Sequence, residues 1–293
     1  MAGPELHAAR VSAAVEVDGK LDEAVWRRAP SVTRFVQRSP ANGKAPAQRT
    51  SMWVVYDAGA VYVGLRMYDS KPELIRRGLG RRDNPPDSDN VIIFIDPVGS
   101  GKRGYWFKVN ASGILSDGVL YQENIMDDSW NGVWSGAAAS DATGWTAEFR
   151  IPLTSIAYQD LDEQTWGFHV QRYIQRVKET STWPPMPKSS NTFVSRFGKL
   201  RKLRGLKRSA AVRLLPYVGG EFQLGRHADS LRPDDVFRPN GGVDLRYSFS
   251  GGGSLSVTVN PDFGQVEEDP AVVNLSPNEI FWAEKRQIGR AHV

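Results

Sequence analysis

The chain has 293 residues, of which 40% are hydrophobic and 24% charged, with 37 lysines and arginines, 33 aspartates and glutamates, and no cysteine. This composition is typical of a globular protein, and no stretch reaches the roughly 18 apolar residues that a membrane-spanning helix requires. The absence of cysteine excludes disulfide scaffolds, thiolate nucleophiles and cysteine zinc sites. The small positive charge does not by itself indicate nucleic-acid binding.

Neither end of the chain reads as an ordinary terminus. Residues 1–7 contain no basic segment followed by an apolar one, so no secretion signal is visible, and the protein is either cytoplasmic or lacks its natural beginning. Residues 287–293 look like the translation of a sequencing-adapter oligonucleotide, with an ordinary polar tail as the alternative. If the adapter interpretation is right, we expect the gene to be interrupted and the natural protein to be longer.

Short strands separated by turns dominate residues 11–203. Ser51–Tyr56 and Val61–Tyr68 flank a turn and predict a hairpin. Val91–Ile95 is an unbroken apolar run, as expected for a strand buried on both faces. Later segments alternate apolar and polar residues, and helix is suggested only at Glu73–Leu79 and at a turn over Pro152–Ile156. This pattern predicts an all-β chain folded as a β-sandwich.

A basic segment predicts a boundary after this region. Residues 196–208 contain seven basic residues and no acid. Beyond them, residues 243–249 and 255–259 alternate strictly around three glycines. Strands of a membrane β-barrel and a half-buried soluble hairpin both give this alternation, and both interpretations stay open here.

The motifs for enzymatic chemistry are weak. Residues 99–104 match a dinucleotide-binding fingerprint, but a strand follows them instead of a helix, which favours a hairpin loop. The four histidines lack metal-ligand spacing, and there is no nucleophile elbow. The acids at positions 83, 87, 89, 96, 127 and 128 are interpreted as solvated loop carboxylates, with a structural calcium site as the lesser alternative. We therefore predict no catalytic residues, no metal ligands and no cofactor apart from that possible calcium.

Nine tryptophans are many for this length, and aromatic rings stack on sugars. Trp106, Trp130, Trp134 and Trp183 lie in or beside predicted loops and are candidates for such stacking. The other strand tryptophans, at positions 26, 53, 145 and 166, are interpreted as core residues. Because the basic segment 196–208 lacks interleaved stacking aromatics, a nucleic-acid partner is not predicted.

Six segments, taken in order, resemble family 9 carbohydrate-binding modules over residues 11–203. They are Val17–Trp26, Val55–Val63, Asp89–Asp96, Phe107–Asn110, Gly144–Glu148 and Phe197–Leu200. The resemblance implies a jelly-roll-like antiparallel sandwich that binds sugars and that usually accompanies glycoside hydrolases.

The resemblance also indicates which positions of this chain match the sugar-binding residues of the family. Where sugar-binding members have two stacking tryptophans, this chain has Pro86 and Asn191, and the family's strand glutamate becomes Ile92. Lys108 and Asn110 match the family's polar pair, with lysine replacing arginine. The candidate sugar-binding residues are therefore Lys108 and Asn110, together with Trp106, Trp130 and Trp183 as relocated stacking platforms.

The remainder looks like an uncharacterised bacterial family that joins such a module to an outer-membrane barrel. The similarity is carried by residues 215–217, 259–267, 274–275 and 284–286. It implies a location in the outer membrane or periplasm. An eight-stranded barrel needs well over ~80 residues of strand, so we expect residues 206–286 to form only its first strands and not to close.

These observations give one organisation and three possible functions. The expected parts are a sandwich at 11–205, an incomplete barrel segment at 206–286 and the adapter remnant at 287–293. We predict a carbohydrate-binding module with a glycan as partner and the outer membrane contacted through the C-terminal segment. The first alternative is a structural domain of a barrel protein that binds no glycan. The second is a hydrolase acting on O-glycosyl bonds.

Overall fold

A computed structural model describes residues 4–12, 15–206, 211–223, 236–248 and 254–260. The chain divides into two compact units, residues 1–208 and residues 209–293. The predicted adapter remnant at 287–293 and the end of the predicted barrel segment, residues 261–286, lie outside the described residues.

The described residues of the first unit form strands, one short helix and a few 3-10 turns. The helix is α1 (Ala24–Arg28). The strands, in chain order, are β1 (Glu5–His7), β2 (Ala9–Arg10), β3 (Ser31–Val32), β4 (Val36–Ser39), β5 (Thr50–Tyr56), β6 (Ala60–Tyr68), β7 (Asn90–Asp96), β8 (Gly104–Asn110), β9 (Leu115–Tyr121), β10 (Ile125–Asp127), β11 (Ser135–Asp141), β12 (Gly144–Pro152), β13 (Glu163–Ile174), β14 (Glu179–Trp183) and β15 (Gly198–Arg204).

These strands form two sheets. The larger sheet has the order β1-β15-β13-β7-β8-β9-β10, with β14 paired to β13 and β4 paired to β14. The smaller sheet has the order β11-β12-β6-β5-β2, with β3 paired to β5. The long strands pair with one another antiparallel, and among the described residues of this unit the parallel pairs are those of the short strand β1 with β15 and of the short strand β2 with β5. The predicted all-β, sandwich-like architecture is confirmed.

The main core lies between the two sheets and follows from strand alternation. Val91, Ile93 and Ile95 of β7 point inward and are fully buried. Phe94 points outward but is also buried, because Phe197 and its neighbours cover that part of the sheet. The apolar run is therefore buried throughout on its inner face, while on its outer face Phe94 is buried and Ile92 is half-buried, so the prediction of a strand buried on both faces is confirmed only in part. The hairpin formed by β5 and β6 is confirmed as well.

The helix suggestion at Glu73–Leu79 was wrong. Only Pro72–Leu74 forms a turn, of the 3-10 type, and of that segment only Ile75 is buried. A single buried position cannot supply the apolar face that stabilises a longer helix. At the second suggested turn, Leu153–Ser155 forms one 3-10 turn. The helix α1 was not predicted, since its five residues carry one buried side chain, Trp26.

The glycine-rich segment at 99–104 is a hairpin loop, as predicted. It joins β7 to β8, and Gly99 and Gly101 both have left-handed backbone angles (φ +70° and +66°). Their amides donate to the two carboxylate oxygens of Asp96, at 2.9 and 2.7 Å. The acid at the end of β7 therefore stabilises the turn.

Two of the resemblance motifs interlock on the outside of the smaller sheet. Glu148 of β12 accepts hydrogen bonds from the Gly19 amide (2.9 Å) and from the Trp26 indole nitrogen (3.0 Å). Thr146 donates its hydroxyl to the Gly19 carbonyl. These motifs therefore carry a structural contact that fastens the segment from Asp18 to Trp26 across the sheet.

The second unit contains an open antiparallel sheet, in the order β16 (Ala211–Gln223), β17 (Val236–Ser248) and β18 (Ser254–Val259). The strands predicted from alternation at 243–249 and 255–259 are thus confirmed, apart from residue 249, which lies outside the described part. Leu214, Leu245 and Val257 are opposite one another in the register, and Leu214 and Val257 are exposed. Among the described residues, no helix is long and apolar enough to cross a membrane.

Candidate functional site

The side of the larger sheet that points away from the core, here called the outer face, carries polar and aromatic side chains in three rows. Cross-strand pairing defines them: the first row contains His169, Phe94, Trp106 and Gly118; the second Val36, Thr182, Gln171, Ile92, Lys108 and Ser116; the third Thr180, Tyr173, Asn90 and Asn110. Since adjacent strands lie ~4.8 Å apart, the second row from Thr182 to Lys108 spans about 14 Å.

The centre of the second row is half-buried. Ile92 lies between Gln171 on β13 and Lys108 on β8, and all three side chains are partly exposed. An apolar surface flanked by one amide and one ammonium group can contact the C–H face of a sugar ring and hydrogen-bond its hydroxyls. The family's glutamate position is occupied by Ile92, so the polar groups come from the neighbouring strands.

Lys108 is poised as a hydrogen-bond donor. Burial lowers the pKa of its ammonium group, while the charge of Asp87 opposes that shift. Asp87 is itself paired with Lys178, at 2.7 Å, and accepts from Gln175 at 3.2 Å. The hydrogen bond from Lys178 lowers the pKa of Asp87, which stays ionised beside Lys108. A partly dehydrated ammonium group gains more from a ligand hydroxyl than a fully solvated one does.

His169 orders the other end of the face. Its side chain is fully buried, and burial, with a further contribution from the charge of Arg38, lowers its pKa to about 3. The imidazole is therefore neutral at physiological pH. Its Nε2 lies 3.4 Å from the amide nitrogen of Gln171, which can only donate there. This contact orients Gln171, with the amide oxygen left to accept from a ligand.

An aromatic cluster borders the first row. Phe193 contacts Phe94 edge-on with ring centres 5.0 Å apart, and His169 stacks on Phe197 at 5.3 Å and 10°. Glu123 fixes the turn that carries Phe193, because it accepts from the amides of Phe193 and Ser195, each at 3.1 Å. Phe193 is half-exposed, and so is Tyr173 in the third row. Both rings can contact a ligand on the face.

The sequence-predicted residues fall in different places. Lys108, Trp106 and Asn110 lie on the outer face, one in each row. Trp106 is 6% exposed and packs against Leu120 and Val194. Asn110 is fully buried; its amide nitrogen donates to Gly78 and Ser88, and its oxygen accepts from the amides of residues 112 and 114. Asn110 therefore closes a turn with its full hydrogen-bonding capacity.

The other two predicted platforms lie off this face. Trp183 is 3% exposed and belongs to the core between the sheets, where its ring centre is 6.3 Å from that of Phe168. Trp130 is half-buried at the edge of the core, 5.1 Å from Tyr105. The structure thus brings Lys108 and Trp106 together and separates them from Trp130 and Trp183. Sugar binding by the five predicted residues stays a prediction.

The sequence predictions missed Gln171, Tyr173 and His169 on β13, and Phe193. The sequence does indicate that the three β13 residues share a face, since alternation over residues 167–176 assigns all three to one side of a strand. What the alternation does not show is which loop covers that side. Phe193 follows Asn191, the matching position for a family tryptophan, by two residues.

The interpretation of the acids as solvated loop carboxylates is wrong for Asp89 and Asp96, which are 0% and 2% exposed and accept hydrogen bonds from backbone amides. Asp89 accepts from the Gln175 amide at 3.1 Å, and Asp83 accepts from the Asp117 amide at 3.2 Å. Burial raises the pKa of both carboxyls. Within the described parts of the chain, no group of three or more histidine, aspartate or glutamate side chains is arranged to hold a metal ion.

Comparison with known proteins gives matches over both units. The family described as "Carbohydrate family 9 binding domain-like" matches residues 17–200, and the "Domain of unknown function (DUF5916)" matches residues 210–289. No curated protein matches.

Solved structures match the first unit at low sequence identity. One is a putative carbohydrate-binding protein from Bacteroides uniformis, with a TM-score of 0.52 and 16% identity over 68% of this chain and 99% of that one. Another is a family 9 carbohydrate-binding module from Caldicellulosiruptor kristjanssonii in complex with cellotriose, with a TM-score of 0.48 and 16% identity over 67% of this chain and 92% of that one. The family match covers more than half of the chain. The chain belongs to the carbohydrate family 9 binding domain-like family.

Proposed function

We propose that the first unit is a carbohydrate-binding module and that its glycan lies on the outer face of the larger sheet. The observation that carries the proposal is the second row, where Gln171 and Lys108 flank the half-buried Ile92. Phe193 and Tyr173 supply half-exposed rings at opposite sides of that row. Family membership supports the function, and modules of the same family have been solved with cellotriose and with glucose.

The geometry favours a short glycan lying across the strands. Gln171 is oriented by His169, so its free amide oxygen has a fixed direction. Lys108 donates from the other side of Ile92. One acceptor and one donor, about two strand spacings or ~10 Å apart, fit hydroxyls of a short oligosaccharide better than a single monosaccharide ring.

A glycan array probed with the full chain tests the proposal, followed by calorimetry with the tightest glycan. We expect Gln171→Ala and Lys108→Ala each to weaken binding about tenfold, because each leaves a ligand hydroxyl without its partner. Lys199→Ala is the control, since Lys199 is a half-buried lysine on β15 outside the three rows.

Two results would count against this function. Silence of the full chain across plant and bacterial glycans would favour the alternative of a structural domain that binds no sugar. If the wild type and both site variants bind the glycan with equal affinity, the glycan does not bind at Gln171 and Lys108. Turnover of a glycoside by the purified chain would instead support the hydrolase alternative.

We also propose that the second unit contacts the bacterial outer membrane, as the first strands of a barrel whose remaining strands lie beyond this sequence, so that the first unit faces the periplasm or the cell surface. Support comes from one face of the described three-stranded sheet, where Val212, Leu214, Leu255 and Val257 are all exposed. Exposed apolar patches of this kind mark interaction surfaces.

Vesicle flotation tests the membrane proposal. We expect the full chain to float with phospholipid vesicles and the double variant Leu214→Asp/Val257→Asp to stay in the soluble fraction. In the matched control, Leu215→Asp changes an exposed leucine on the opposite side of β16 and should leave flotation unchanged. Equal flotation of the wild type and both variants would contradict the assignment of this face.

A further inference from the structure

A cavity opens on the other side of the sandwich, on the outside of the smaller sheet. Its volume is about 460 Å³, within the ~300–1,000 Å³ range of small-molecule sites. The residues that matter for its chemistry are Trp53, Tyr68, Arg66, Asp141, Lys20 and Asp22. None of them takes part in the proposed glycan site on the larger sheet.

One wall of the cavity is the segment from Asp18 to Trp26, which Glu148 and Thr146 hold across the smaller sheet. Gly64 of β6 is opposite Trp53, and a side chain at Gly64 would meet Leu21 at 2.8 Å and Trp26 at 3.1 Å. The missing side chain thus lets the segment containing Leu21 lie across the sheet beside Trp53. The next row along the strands, which holds Arg66 and Thr146, forms the floor.

An ion pair fixes the opposite side of the cavity. Arg66 and Asp141 form an ion pair of 2.7 Å, and the Arg66 side chain is only 14% exposed. The guanidinium carbon of Arg66 lies 5.4 Å from the Tyr68 ring centre, and that of Arg49 lies 3.9 Å from it. The hydrogen bond from Arg66 holds the pKa of Asp141 well below its usual range. The charged wall is therefore fixed before any ligand arrives.

The lining combines one half-exposed indole with charges that cancel. Lys20 and Arg66 supply two positive charges, and Asp22 and Asp141 supply two negative charges. A phosphate, sulfate or carboxylate ligand would meet as much repulsion as attraction in such a site. Hydroxyl groups, in contrast, donate to carboxylates and accept from cations, and a sugar's C–H face packs on an aromatic ring.

From this geometry we infer a second saccharide-binding site, specific for neutral sugars, in the cavity lined by Trp53, Arg66 and Asp22 on the smaller sheet. It goes beyond the proposed function, which uses only the larger sheet. Sites on opposite faces of one sandwich cannot hold a single short oligosaccharide. They would bind two glycan chains at once and gain avidity on a polysaccharide surface.

Calorimetry with cellotriose, xylotriose and maltotriose tests the inference in the full chain. The double variant Gln171→Ala/Lys108→Ala removes the polar groups of the proposed site on the larger sheet. We expect this variant still to bind at least one trisaccharide. Adding Trp53→Ala should weaken that remaining binding at least tenfold. Trp53 also packs against a small buried cluster, so Asp22→Ala, at an exposed position on the rim, provides a second variant, expected to weaken binding at least threefold.

The outcomes separate this inference from the proposed function. Loss of all binding in the folded double variant, with normal binding in the wild type, overturns the second site and leaves the first intact. If the double variant binds as tightly as the wild type and Trp53→Ala abolishes that binding, the second site is supported and the first is contradicted. Failure of all three trisaccharides to bind, or tighter binding of trigalacturonate than of any of them, overturns the inference of a neutral-sugar site.

Discussion

Replacing Gly19 by alanine is expected to lower the free energy of unfolding of the first unit by roughly 3 kcal/mol or more. Gly19 has φ +88°, and a side chain there would approach the carbonyl carbon of Ala138 to 2.6 Å and the amide nitrogen of Ala139 to 2.8 Å. Both contacts are with backbone of β11, which cannot rotate away. The segment would have to lift, and the hydrogen bond from the Gly19 amide to Glu148 would be lost with it.

Gly43 provides a matched control for this experiment. Its φ is +81°, close to that of Gly19, yet a side chain there would meet nothing within 4 Å. Gly43→Ala should therefore lower the free energy of unfolding only by the cost of holding an alanine at positive φ, about 1 kcal/mol. Denaturant unfolding of the full chain followed by tryptophan fluorescence measures both, since eight of the nine tryptophans lie between residues 26 and 183. Equal losses in the two variants would show that the Gly19 contact with β11 does not form.

The second large effect concerns pH. Glu148 is 1% exposed, and burial, together with the charges of Glu23 and Asp18, raises its pKa from 4.5 to about 7. The folded state therefore holds the proton more tightly than the unfolded state does. The stabilisation from that proton is complete below pH 4.5 and is lost as the pH rises to about 7. A shift of this size corresponds to roughly 3 kcal/mol.

Glu148→Gln should remove this dependence, because an uncharged amide resembles the protonated acid. We expect the free energy of unfolding of the variant, relative to the wild type, to rise by roughly 3 kcal/mol between pH 4.5 and pH 8. Glu163→Gln, at an exposed carboxylate paired with Arg204, is the control and should give a nearly constant difference. A constant difference for Glu148→Gln as well would mean that Glu148 is ionised in the folded protein throughout this range.

Much of the first unit could be predicted because its signals are local. The β5–β6 hairpin and the buried strand β7 are each specified by a run of apolar or alternating residues within about ten positions. The hairpin loop at 99–104 is specified by its glycines and by Asp96. The short helix α1 lacked such a signal, because its stability comes from one tryptophan packed on a distant strand.

The composition of the candidate site could not be predicted in the same way. Trp53 is interpreted from the sequence as a core residue and Trp183 as a stacking candidate beside a loop, yet Trp53 is half-exposed on the smaller sheet whereas Trp183 is 3% exposed between the sheets. Their environments depend on which strand pairs with which, and paired residues can lie ~140 positions apart, as in β4 and β14, or ~190, as in β1 and β15. Gln171 gained its role only when the fold placed it between Ile92 and Thr182.

A crystal structure of the full chain with the tightest glycan from the array tests the central claim most directly. We predict sugar density over Ile92, with ring hydroxyls within hydrogen-bond distance of the Gln171 amide oxygen and the Lys108 ammonium group, and with Phe193 or Tyr173 against a sugar face. An outer face of the larger sheet that stays free of sugar, while the glycan is ordered elsewhere on the molecule, would contradict it.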